Sequence, residues 1–284
     1  MSRSVTVQVP GSTANLGPGF DVLAAAIALC VTVEVIETGE FKLVTDLNLR
    51  RDRHNLIVRA FERIHPADAF EFRVSSTIPL SGGMGSSAAG VVAGLLAADA
   101  LFGGGADLLA LATEIEGHPD NVAASLYGGL VICDGLDVRR LAMPADLEAI
   151  LVVPAEPVKT SLARAALPDV VPLPDAVHNV AQTAKLIAGL ASADWDLVGA
   201  GLADRLHQPH RAHLYPRSAR IVEQARSHGA LGATISGAGP TVLVWVAPGQ
   251  RGPVMQWLGN EQLDWDVQVM IVPFEPDGAR VVQR

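Results

Sequence analysis

The sequence predicts a protein of mixed helices and strands in two domains, and three observations support this. The chain has 284 residues, a length that suits one large or two medium domains. Hydrophobic residues make up 49% of it, which is enough for a buried core and excludes a disordered or low-complexity chain. Alternating apolar segments and segments of helical spacing occur in both halves. We place the boundary near residues 135–148, which gives domains of 1–145 and 146–284.

In the first half, alternation predicts the strands and a spacing of three to four residues predicts the helices. The predicted strands are 5–9, ended by Pro10; the later part of 22–36; its hairpin partner 41–45; 70–75; and 130–133. The predicted helices are 55–64, 88–101, 107–115 with Asp107 as N-cap, and 121–126. Residues 11–21 are rich in Gly and Pro and are predicted to form a loop.

The same two patterns predict the strands and helices of the second half. The apolar run 149–153 predicts a buried strand that ends at Pro154. Helices are predicted at 161–166, 179–190, 196–206 and 218–228, the last closed by Gly229. Residues 168–174 are predicted as a Pro-rich loop, and 233–236, 241–246 and 267–272 as strands.

Charge, cysteine content and the N-terminal residues indicate which partners and which compartment suit the chain. The net charge of −9 argues against nucleic acid or an anionic membrane as partner, so an anionic ligand must be held by local positive groups. Cys30 and Cys133 each lie in an apolar run, which favours two small buried residues in a reducing compartment. The first residues lack the apolar core of a signal peptide, and we expect a cytoplasmic protein. Residues 78–98 fit a buried helix better than a membrane span.

The most informative segment is Gly82-Gly83-Met84-Gly85-Ser86-Ser87-Ala88. Glycines allow backbone N–H groups to approach a ligand closely, and a helix that begins directly afterwards adds unpaired N–H groups and a positive dipole end. Together these features predict an anion site, most simply for phosphate. The segment has neither the Walker lysine nor the glycine spacing of a dinucleotide fingerprint. A plain Gly-rich turn before a buried helix is the other interpretation.

Three further segments concentrate polar residues, although each could also be an ordinary turn. Residues 10–21 form a Gly/Pro loop that carries Asn15 and Asp21, which could direct an amide and a carboxylate at a small polar ligand. Residues 114–121 place two Glu, a His, an Asp and an Asn within eight positions. Residues 236–240, Ser-Gly-Ala-Gly-Pro, lie between two predicted strands, where glycines permit close backbone approach to a phosphate or substrate.

These segments, in this order, resemble the GHMP kinase superfamily, which includes galactokinase, homoserine kinase and mevalonate kinase. The Gly82–Ala88 segment is similar to its phosphate motif, with Met84 where Leu is usual and Gly82 as an extra glycine. Within the superfamily, residues 12–21, 116–122, 159–168 and 204–214 resemble homoserine kinases. The resemblance implies an α+β, two-domain GHMP kinase fold with a ribosomal S5-like N-terminal domain and a ferredoxin-like C-terminal domain. It also implies ATP-dependent phosphorylation of L-homoserine to O-phospho-L-homoserine, a step of threonine biosynthesis.

The resemblance implies roles for the matching residues. Homoserine would contact Asn15, Asp21, His118, Asn121, Thr160, Arg164, Arg211 and Gly237. Asp21 suits the ammonium group by charge, and the planar guanidinium groups of Arg164 and Arg211 suit the carboxylate. ATP would contact Asn55, Pro79, Gly82, Gly83, Met84, Gly85, Ser86, Ser87 and Ala88, with Asn55 near the adenine. Mg²⁺ would be held by Ser87 and by Glu114 or Glu116, between which the sequence leaves the choice open.

The expected chemistry relies on positioning. Counting back from Gly128, Asn121 occupies the place where mevalonate kinase carries its catalytic Asp, and an amide cannot usefully accept a proton. We therefore expect direct attack of the substrate hydroxyl on the γ-phosphate, with Asn121, His118 and Ser87 positioning the reactants. Asp120 as a general base is the rival interpretation and ranks lower because it is one residue out of register.

Two other functions stay open at this point. The chain could be a GHMP kinase for a sugar, for mevalonate or for a cytidyl isoprenoid precursor, or a sensor that binds ATP and a metabolite without turnover. The two arginines argue against a sugar, which has no carboxylate, and Asp21 argues against mevalonate, which has no amine. A homodimer is compatible with the sequence.

Overall fold

The computed structural model describes residues 2–80, 82–261 and 265–283, and its strands form two sheets. A seven-stranded sheet has the order β11-β1-β2-β4-β3, with β5 pairing β2 and β6 pairing β5. Its strands are β1 Ser4–Ala14, β2 Leu23–Glu37, β3 Lys42–Val44, β4 Phe70–Ser76, β5 Leu130–Asp134, β6 Asp137–Leu141 and β11 Arg280–Gln283. The second sheet has the order β10-β7-β9-β8. Its strands are β7 Glu148–Pro154, β8 Gly232–Ile235, β9 Val242–Val246 and β10 Val267–Ile271.

Helices fill the connections between the strands. In the first half they are α1 Leu56–Phe61, α2 Ser86–Phe102, α3 Leu108–Glu116 and α4 Asp120–Tyr127. In the second half they are α5 Thr160–Ala165, α6 Leu173–Ser192, α7 Trp195–Ala200, α8 Gln208–Arg211, α9 Pro216–Gln224 and α10 Arg251–Glu261. Within the described residues, no helix combines the length and the apolar character that crossing a membrane would require.

The second sheet confirms the ferredoxin-like prediction. Counted along the chain from β7, its spatial order is fourth, first, third, second, and its paired strands are all antiparallel. Helix α9 precedes β8 and α10 connects β9 to β10, which is the β-α-β-β-α-β arrangement, with α5 to α8 inserted before α9. The α10 helix was missed because glycines and a proline interrupt its apolar pattern, although Val254, Trp257 and Leu258 are buried.

Strand β7 shows how alternation builds two cores. Ile150 and Val152 pack in the core under α9 and α10, whereas Leu151 and Val153 pack in the larger core shared with the first sheet. Successive side chains of a strand point to opposite faces, so one strand serves both cores. The second sheet is therefore covered on both sides, as the uninterrupted apolar run of β7 suggests.

The prediction that the first strand ends at Pro10 was wrong. Strand β1 continues to Ala14, and its pairing with β2 shifts register between Pro10 and Gly11. Proline cannot donate a ladder hydrogen bond, and an irregularity is where a sheet tolerates it. The first part of the predicted 11–21 loop is consequently strand, and it delivers Asn15 to the end of the sheet.

Strand β3 was also assigned to the wrong neighbour. It pairs in parallel with β4, with Leu43 opposite Phe72, and not with β2 as a hairpin. The two edges of β2 are occupied by β1 and β4, and residues 45–69, including α1, form the crossover from β3 to β4. The short strand therefore closes the edge of the sheet.

Strand β11 joins the end of the chain to the first sheet, and the division into 1–145 and 146–284 stays a prediction. It lies in the second half of the chain but pairs antiparallel with β1 of the first sheet. Neither β6 nor β11 was predicted, because both are short and largely exposed. The segments before β8 also differ from the prediction: α6 begins at Leu173, inside the predicted loop, and α7 ends at Ala200, well before residue 206.

Candidate active site

The glycine-rich segment forms a tight loop at the start of α2. Gly83 has φ +82° and Gly85, the residue before the helix, has φ +65°. A Cβ at Gly83 would overlap the carbonyl oxygen of Ser236, and one at Gly85 would overlap the hydroxyl of Ser12. Backbone conformation and lack of space both require glycine at these two positions.

Two other segments hold this loop in place. The Ser12 N–H donates to the carbonyl of Met84 at 3.1 Å, and the Ser236 hydroxyl donates to the carbonyl of Gly83 at 2.6 Å. The loop is thus tied to the end of β1 and to the Ser236–Pro240 segment, so three segments singled out from sequence meet here. The first N–H groups of α2 and its positive dipole end are suited to bind an anion at this position.

Two oxygens converge next to the loop. The Ser87 hydroxyl donates to Glu116 Oε1 at 2.5 Å, and Ser87 is exposed. Glu114 instead pairs with Arg63 at 2.6 Å. No cluster of three or more His, Cys, Asp or Glu side chains suited to a metal exists among the described residues. Mg²⁺ is commonly held by one or two protein oxygens together with water and substrate phosphates, so the Ser87–Glu116 pair fits it and Glu114 does not.

The turn between β1 and β2 has an unusual backbone. Asn15, Leu16 and Asp21 all have positive φ, at 70°, 49° and 56°. Non-glycine residues adopt this conformation rarely, and such strain persists where surrounding contacts impose it. Buried Asn15 supplies two of these contacts: its Nδ2 donates to the Gly237 carbonyl at 2.8 Å, and its Oδ1 accepts the Asp21 N–H at 3.0 Å.

Asp21 forms a two-pronged ion pair with Arg164. The guanidinium Nη1 and Nη2 atoms each donate to one Asp21 carboxylate oxygen at 3.0 Å. The two side chains are 36% and 40% exposed, so the pair lies at the rim of the site. The Arg164 guanidinium carbon also lies 5.9 Å from the centre of the Phe20 ring.

Arg211 is the second predicted clamp arginine, and it is only 2% exposed. Its Nε donates to the Ala163 carbonyl at 2.9 Å and its Nη1 to the Gly237 carbonyl at 3.4 Å, while the Phe20 ring lies 5.3 Å away. Burial lowers the pKa of Arg211 below its ordinary value, yet arginine remains charged in proteins. Among the described residues no carboxylate forms an ion pair with it. A buried positive charge without a carboxylate in direct contact is costly, which indicates an anionic ligand.

A network that sequence reasoning missed supports Arg211 from behind. His207 is fully buried, and its Nε2 lies 2.7 Å from the Gly17 carbonyl, which can only accept a hydrogen bond. Burial lowers the pKa of His207, so the neutral ring can accept from Arg211 through Nδ1, 3.3 Å from Nη1. His207 directly precedes α8 and Arg211 is the last residue of that helix, and this i, i+4 spacing was the available signal.

Two other residues of this network connect residues 204–208 to the 15–21 turn. The Asp204 carboxylate accepts the N–H groups of Leu206, His207 and Gln208. Asn179 of α6 donates to Asp204 and to the Pro18 carbonyl, at 2.8 and 3.1 Å. The strained 15–21 turn is therefore held from the second half of the chain, over sequence distances that no local pattern reveals.

The predicted positioning residues occupy the start of α4. His118 Nδ1 lies 3.2 Å from the Asp120 carboxylate, and the interaction with this carboxylate raises the pKa of His118 above its ordinary value, while burial partly opposes the shift. Asp120 also accepts the Asn121 N–H at 2.7 Å and is buried. Asn121 Oδ1 accepts the Ser12 hydroxyl at 2.9 Å, which fixes the orientation of the amide.

Three predicted residues have less direct positions. Asn55 is the N-cap of α1: its Oδ1 accepts the Ile57 N–H and its Nδ2 donates to the Arg50 carbonyl. Its role at the adenine therefore stays a prediction, in which the Asn55 backbone would make the contact because its side chain is already used. Thr160 is the exposed first residue of α5, four residues before Arg164, and Pro79 is half-buried before the glycine loop. Ser86 and Ala88 lie in the first turn of α2.

The arrangement has two chemically different parts. The loop before α2 and the Ser87–Glu116 oxygens can receive a phosphate with its cation. The Asp21, Arg164 and Arg211 side chains can receive a small molecule with one positive and one negative group. Asn121 accepts from Ser12, whose N–H donates to Met84 of the loop, so the positioning residues adjoin the phosphate loop.

The comparisons with known proteins agree with this geometry. The GHMP kinases N terminal domain family matches residues 55–129, and the GHMP kinases C terminal family matches residues 186–253. Homoserine kinase of Moorella thermoacetica is 38% identical over 88% of this chain and 90% of the relative. Homoserine kinase of a Synechococcus strain is 40% identical over 90% and 87%. The crystal structure of homoserine kinase from Cytophaga hutchinsonii superposes with a TM-score of 0.84 at 31% identity, covering 98% and 97% of the two chains.

Proposed function

Because the chain belongs to the homoserine kinase family of GHMP kinases, we propose that it transfers the γ-phosphoryl group of ATP to the hydroxyl of L-homoserine. The products are ADP and O-phospho-L-homoserine. The observation that carries the proposal is the buried Arg211, which has no carboxylate partner among the described residues and lies beside the Asp21–Arg164 ion pair. A small amino acid supplies both charges that this arrangement calls for.

Substrate binding exchanges one set of ion pairs for another. The ammonium group of homoserine would pair with the Asp21 carboxylate, and the carboxylate of homoserine would bind Arg164 and Arg211. The existing Asp21–Arg164 pair must part for this, and pairs at the surface contribute only about 0–1 kcal/mol. Opening the rim is therefore inexpensive, whereas the substrate carboxylate gains a partner that is already buried and fixed.

The nucleotide would lie with its phosphates on the loop from Gly83 to Ser87. Glycine backbone N–H groups and the start of α2 offer donors to the phosphate oxygens. Ser87 and Glu116 would hold Mg²⁺, which neutralises phosphate charge when it is bound. Glu116, rather than Glu114, is the proposed ligand because only Glu116 contacts Ser87.

Catalysis would depend on positioning the reactants rather than on a general base. The amide of Asn121 is oriented by Ser12 and presents Nδ2 as a donor. Asp120 is buried, lies 3.2 Å from His118 Nδ1 and accepts the N–H of Asn121, which suits a residue that orients His118 more than one that accepts a substrate proton. A loose phosphoryl-transfer transition state makes little demand on the nucleophile, so the hydroxyl can attack directly while its proton passes to an oxygen of the transferred phosphoryl group and ADP leaves.

The proposed partners are thus two small molecules, ATP and L-homoserine, with the cytoplasm as the place of action. A chain of net charge −9 is not suited to bind nucleic acid or an anionic membrane.

A parallel assay tests the proposal against its rivals. Purified protein with ATP and Mg²⁺ is offered homoserine, mevalonate or galactose while ADP formation is followed. We expect homoserine to give by far the highest kcat/KM. A higher kcat/KM with mevalonate or galactose would assign the chain to another GHMP kinase. Homoserine binding seen by calorimetry in the presence of ATP, without ADP formation, would indicate a sensor.

A further inference from the structure

Phe20 lies among charged and polar side chains of the candidate site. The guanidinium carbons of Arg164 and Arg211 lie over its ring, 5.9 and 5.3 Å from the ring centre. The His207 ring also packs against it, with 5.3 Å between the two ring centres. Phe20 is half-buried and belongs to neither of the two apolar cores that the described residues form. Burial of apolar surface, the usual role of a phenyl ring, therefore does not account for its position.

The backbone on both sides of Phe20 is held in place. The carbonyls of Gly17 and Pro18, which precede the ring, are hydrogen-bonded to side chains from the second half of the chain. The Asp21 N–H, which follows it, donates to Asn15 Oδ1. A ring anchored in this way keeps its place when a neighbouring side chain moves, so Phe20 can serve as a fixed surface for the two arginines.

Arg164 and Arg211 carry like charges and repel each other at this site. Their guanidinium carbons are no more than 11.2 Å apart, the sum of their two distances from the Phe20 ring centre. Burial is the main cause of the lowered pKa of Arg211, and the positive charge of Arg164 acts in the same direction. The face of an aromatic ring carries negative potential and attracts cations within about 6 Å. The Phe20 ring can therefore hold both positive charges near each other.

An aromatic face also leaves the hydrogen-bond donors of arginine free. The N–H groups of a guanidinium lie in its plane, and a carboxylate binds them there. Arg164 donates to Asp21 in the structure, and this pair must part when the ammonium group of homoserine binds Asp21. The Phe20 ring still attracts Arg164 after the pair has opened, and the donors become available to the substrate carboxylate. An acidic residue in place of the ring would compete with the substrate for these donors.

We propose that Phe20 is a positioning residue for the substrate carboxylate, because its ring holds Arg164 and Arg211 where both guanidinium groups can bind one carboxylate. The inference rests on the proposed function, since the carboxylate is that of L-homoserine. The ring also contributes to selectivity: it favours alcohols that carry a carboxylate within reach of both arginines, and it does nothing for alcohols that lack one.

Two substitutions of the ring test the proposal. Phe20→Leu keeps an apolar side chain but removes the aromatic face, whereas Phe20→Tyr keeps the face. We expect Phe20→Leu to lower kcat/KM for homoserine by about 5- to 30-fold, the range of a partly to fully desolvated cation–π contact. With aminopropanol, which lacks the carboxylate, the loss should be less than about twofold, and Phe20→Tyr should stay within about threefold of wild type with both substrates. The matched control is Phe41→Leu, which removes a similar contact with Arg53, 5.7 Å from the Phe41 ring centre, and should leave both values within about twofold.

The two substrates separate a positioning role from a merely structural one. Equal losses with homoserine and aminopropanol would show that the ring only supports the fold of the 15–21 turn. A loss in Phe20→Tyr as large as that in Phe20→Leu would show that the aromatic face is not the property that matters. Either result would overturn the proposal. A wild type that does not phosphorylate homoserine would instead overturn the proposed function, and this inference with it.

A double-mutant cycle tests whether the ring acts through the arginines. Phe20→Leu is made again in the Arg164→Ala and Arg211→Ala backgrounds, and the variants are assayed with homoserine. If the ring holds the arginines, its removal should cost less than about threefold in at least one of these backgrounds, because the group that it holds is already gone. A loss as large as that in the wild type in both backgrounds would contradict the proposal.

Discussion

The floor and the rim of the candidate site are built differently. The floor consists of buried groups held by backbone partners: Asn15 on Gly237, and Arg211 on the carbonyls of Ala163 and Gly237. At the rim, Asp21 pairs with Arg164, and Ser87 bonds to Glu116. All four residues of these rim pairs are proposed ligand contacts. A bound ligand would therefore replace the contact within each pair by contacts to itself.

Substitutions in the floor and in the rim should therefore affect different properties, namely fold stability and activity. Removing a floor residue leaves buried acceptors without a donor, which lowers the stability of the fold as well as activity. Removing a rim residue breaks an exposed pair that contributes little to folding, so activity alone should change. Substitutions in each of the two parts test this division.

The floor arginine should show both losses. We expect Arg211→Ala to lower kcat/KM for homoserine by about 100-fold, the upper range for a hydrogen bond to a charged group. The free energy of unfolding should fall by about 1–3 kcal/mol, because the Ala163 carbonyl loses the donor that Arg211 Nε supplies, whereas the Gly237 carbonyl keeps Asn15. Steady-state kinetics and denaturant unfolding measure the two effects. The control is Arg205→Ala, an exposed arginine paired with Asp175, which should resemble the wild type. Unfolding of Arg211→Ala at the wild-type midpoint would remove the distinction between floor and rim.

The two glutamates test the cation side of the rim. We expect Glu116→Gln to raise the Mg²⁺ concentration needed for half-maximal activity with ATP. Loss of an outer-shell metal partner costs roughly 10–100-fold in metal affinity, and loss of a direct ligand should cost at least as much. Glu114→Gln is the matched control and should change this by less than about twofold, since Glu114 bonds to Arg63 instead. Kinase rates titrated with Mg²⁺ at saturating homoserine measure both variants. Equal effects would mean that the Ser87–Glu116 contact does not identify the ligand.

The rim arginine should affect activity alone. We expect Arg164→Ala to lower kcat/KM for homoserine by about tenfold, at the lower end for a charged hydrogen bond because the group is partly solvated. Stability should stay within about 0.5 kcal/mol of wild type, and the KM for ATP should move little. Kinetics with each substrate varied in turn, together with thermal unfolding, measure these effects. A large rise in the KM for ATP would assign Arg164 to the nucleotide.

The smallest expected effect concerns pH. The Asp120 carboxylate, 3.2 Å from His118 Nδ1, raises the pKa of His118, so this pair stabilises the fold fully below the unfolded-state pKa of about 6.5. The contribution is lost as pH rises through the raised folded-state pKa. We expect His118→Gln to reduce the free energy of unfolding in mildly acid solution and to have no effect at alkaline pH. Denaturant unfolding at several pH values measures it, and a difference that grows with pH would contradict the sign.

Local signals predicted much of the site. Gly83 and Gly85 were evident because strained turns select glycine, and Asp107 was found as an N-cap because capping depends on adjacent residues. Arg164 and Arg211 came from the family resemblance rather than from any spacing. Their different burial was not predictable, because it depends on Ala163 and Gly237, which lie far away in sequence.

Features that depend on distant pairing were missed or misassigned. Strand β11 is short, and only its pairing with β1 makes it a strand. Strand β3 was given the wrong partner because a hairpin is the simplest local assumption, whereas β4 already occupies that edge of β2. Asn179 and His207 support the 15–21 turn through contacts that span more than 150 residues. Hydrophobic periodicity carries no information about such contacts.

The measurement that tests the account most directly combines residue and substrate truncation. Wild type, Arg164→Ala and Arg211→Ala are each assayed with homoserine and with aminopropanol, which is homoserine without its carboxylate. If both arginines bind that carboxylate, each substitution costs about tenfold or more in kcat/KM with homoserine and less than about twofold with aminopropanol. Equal losses with the two substrates would show that the arginines do not bind the substrate carboxylate and would contradict the proposed site.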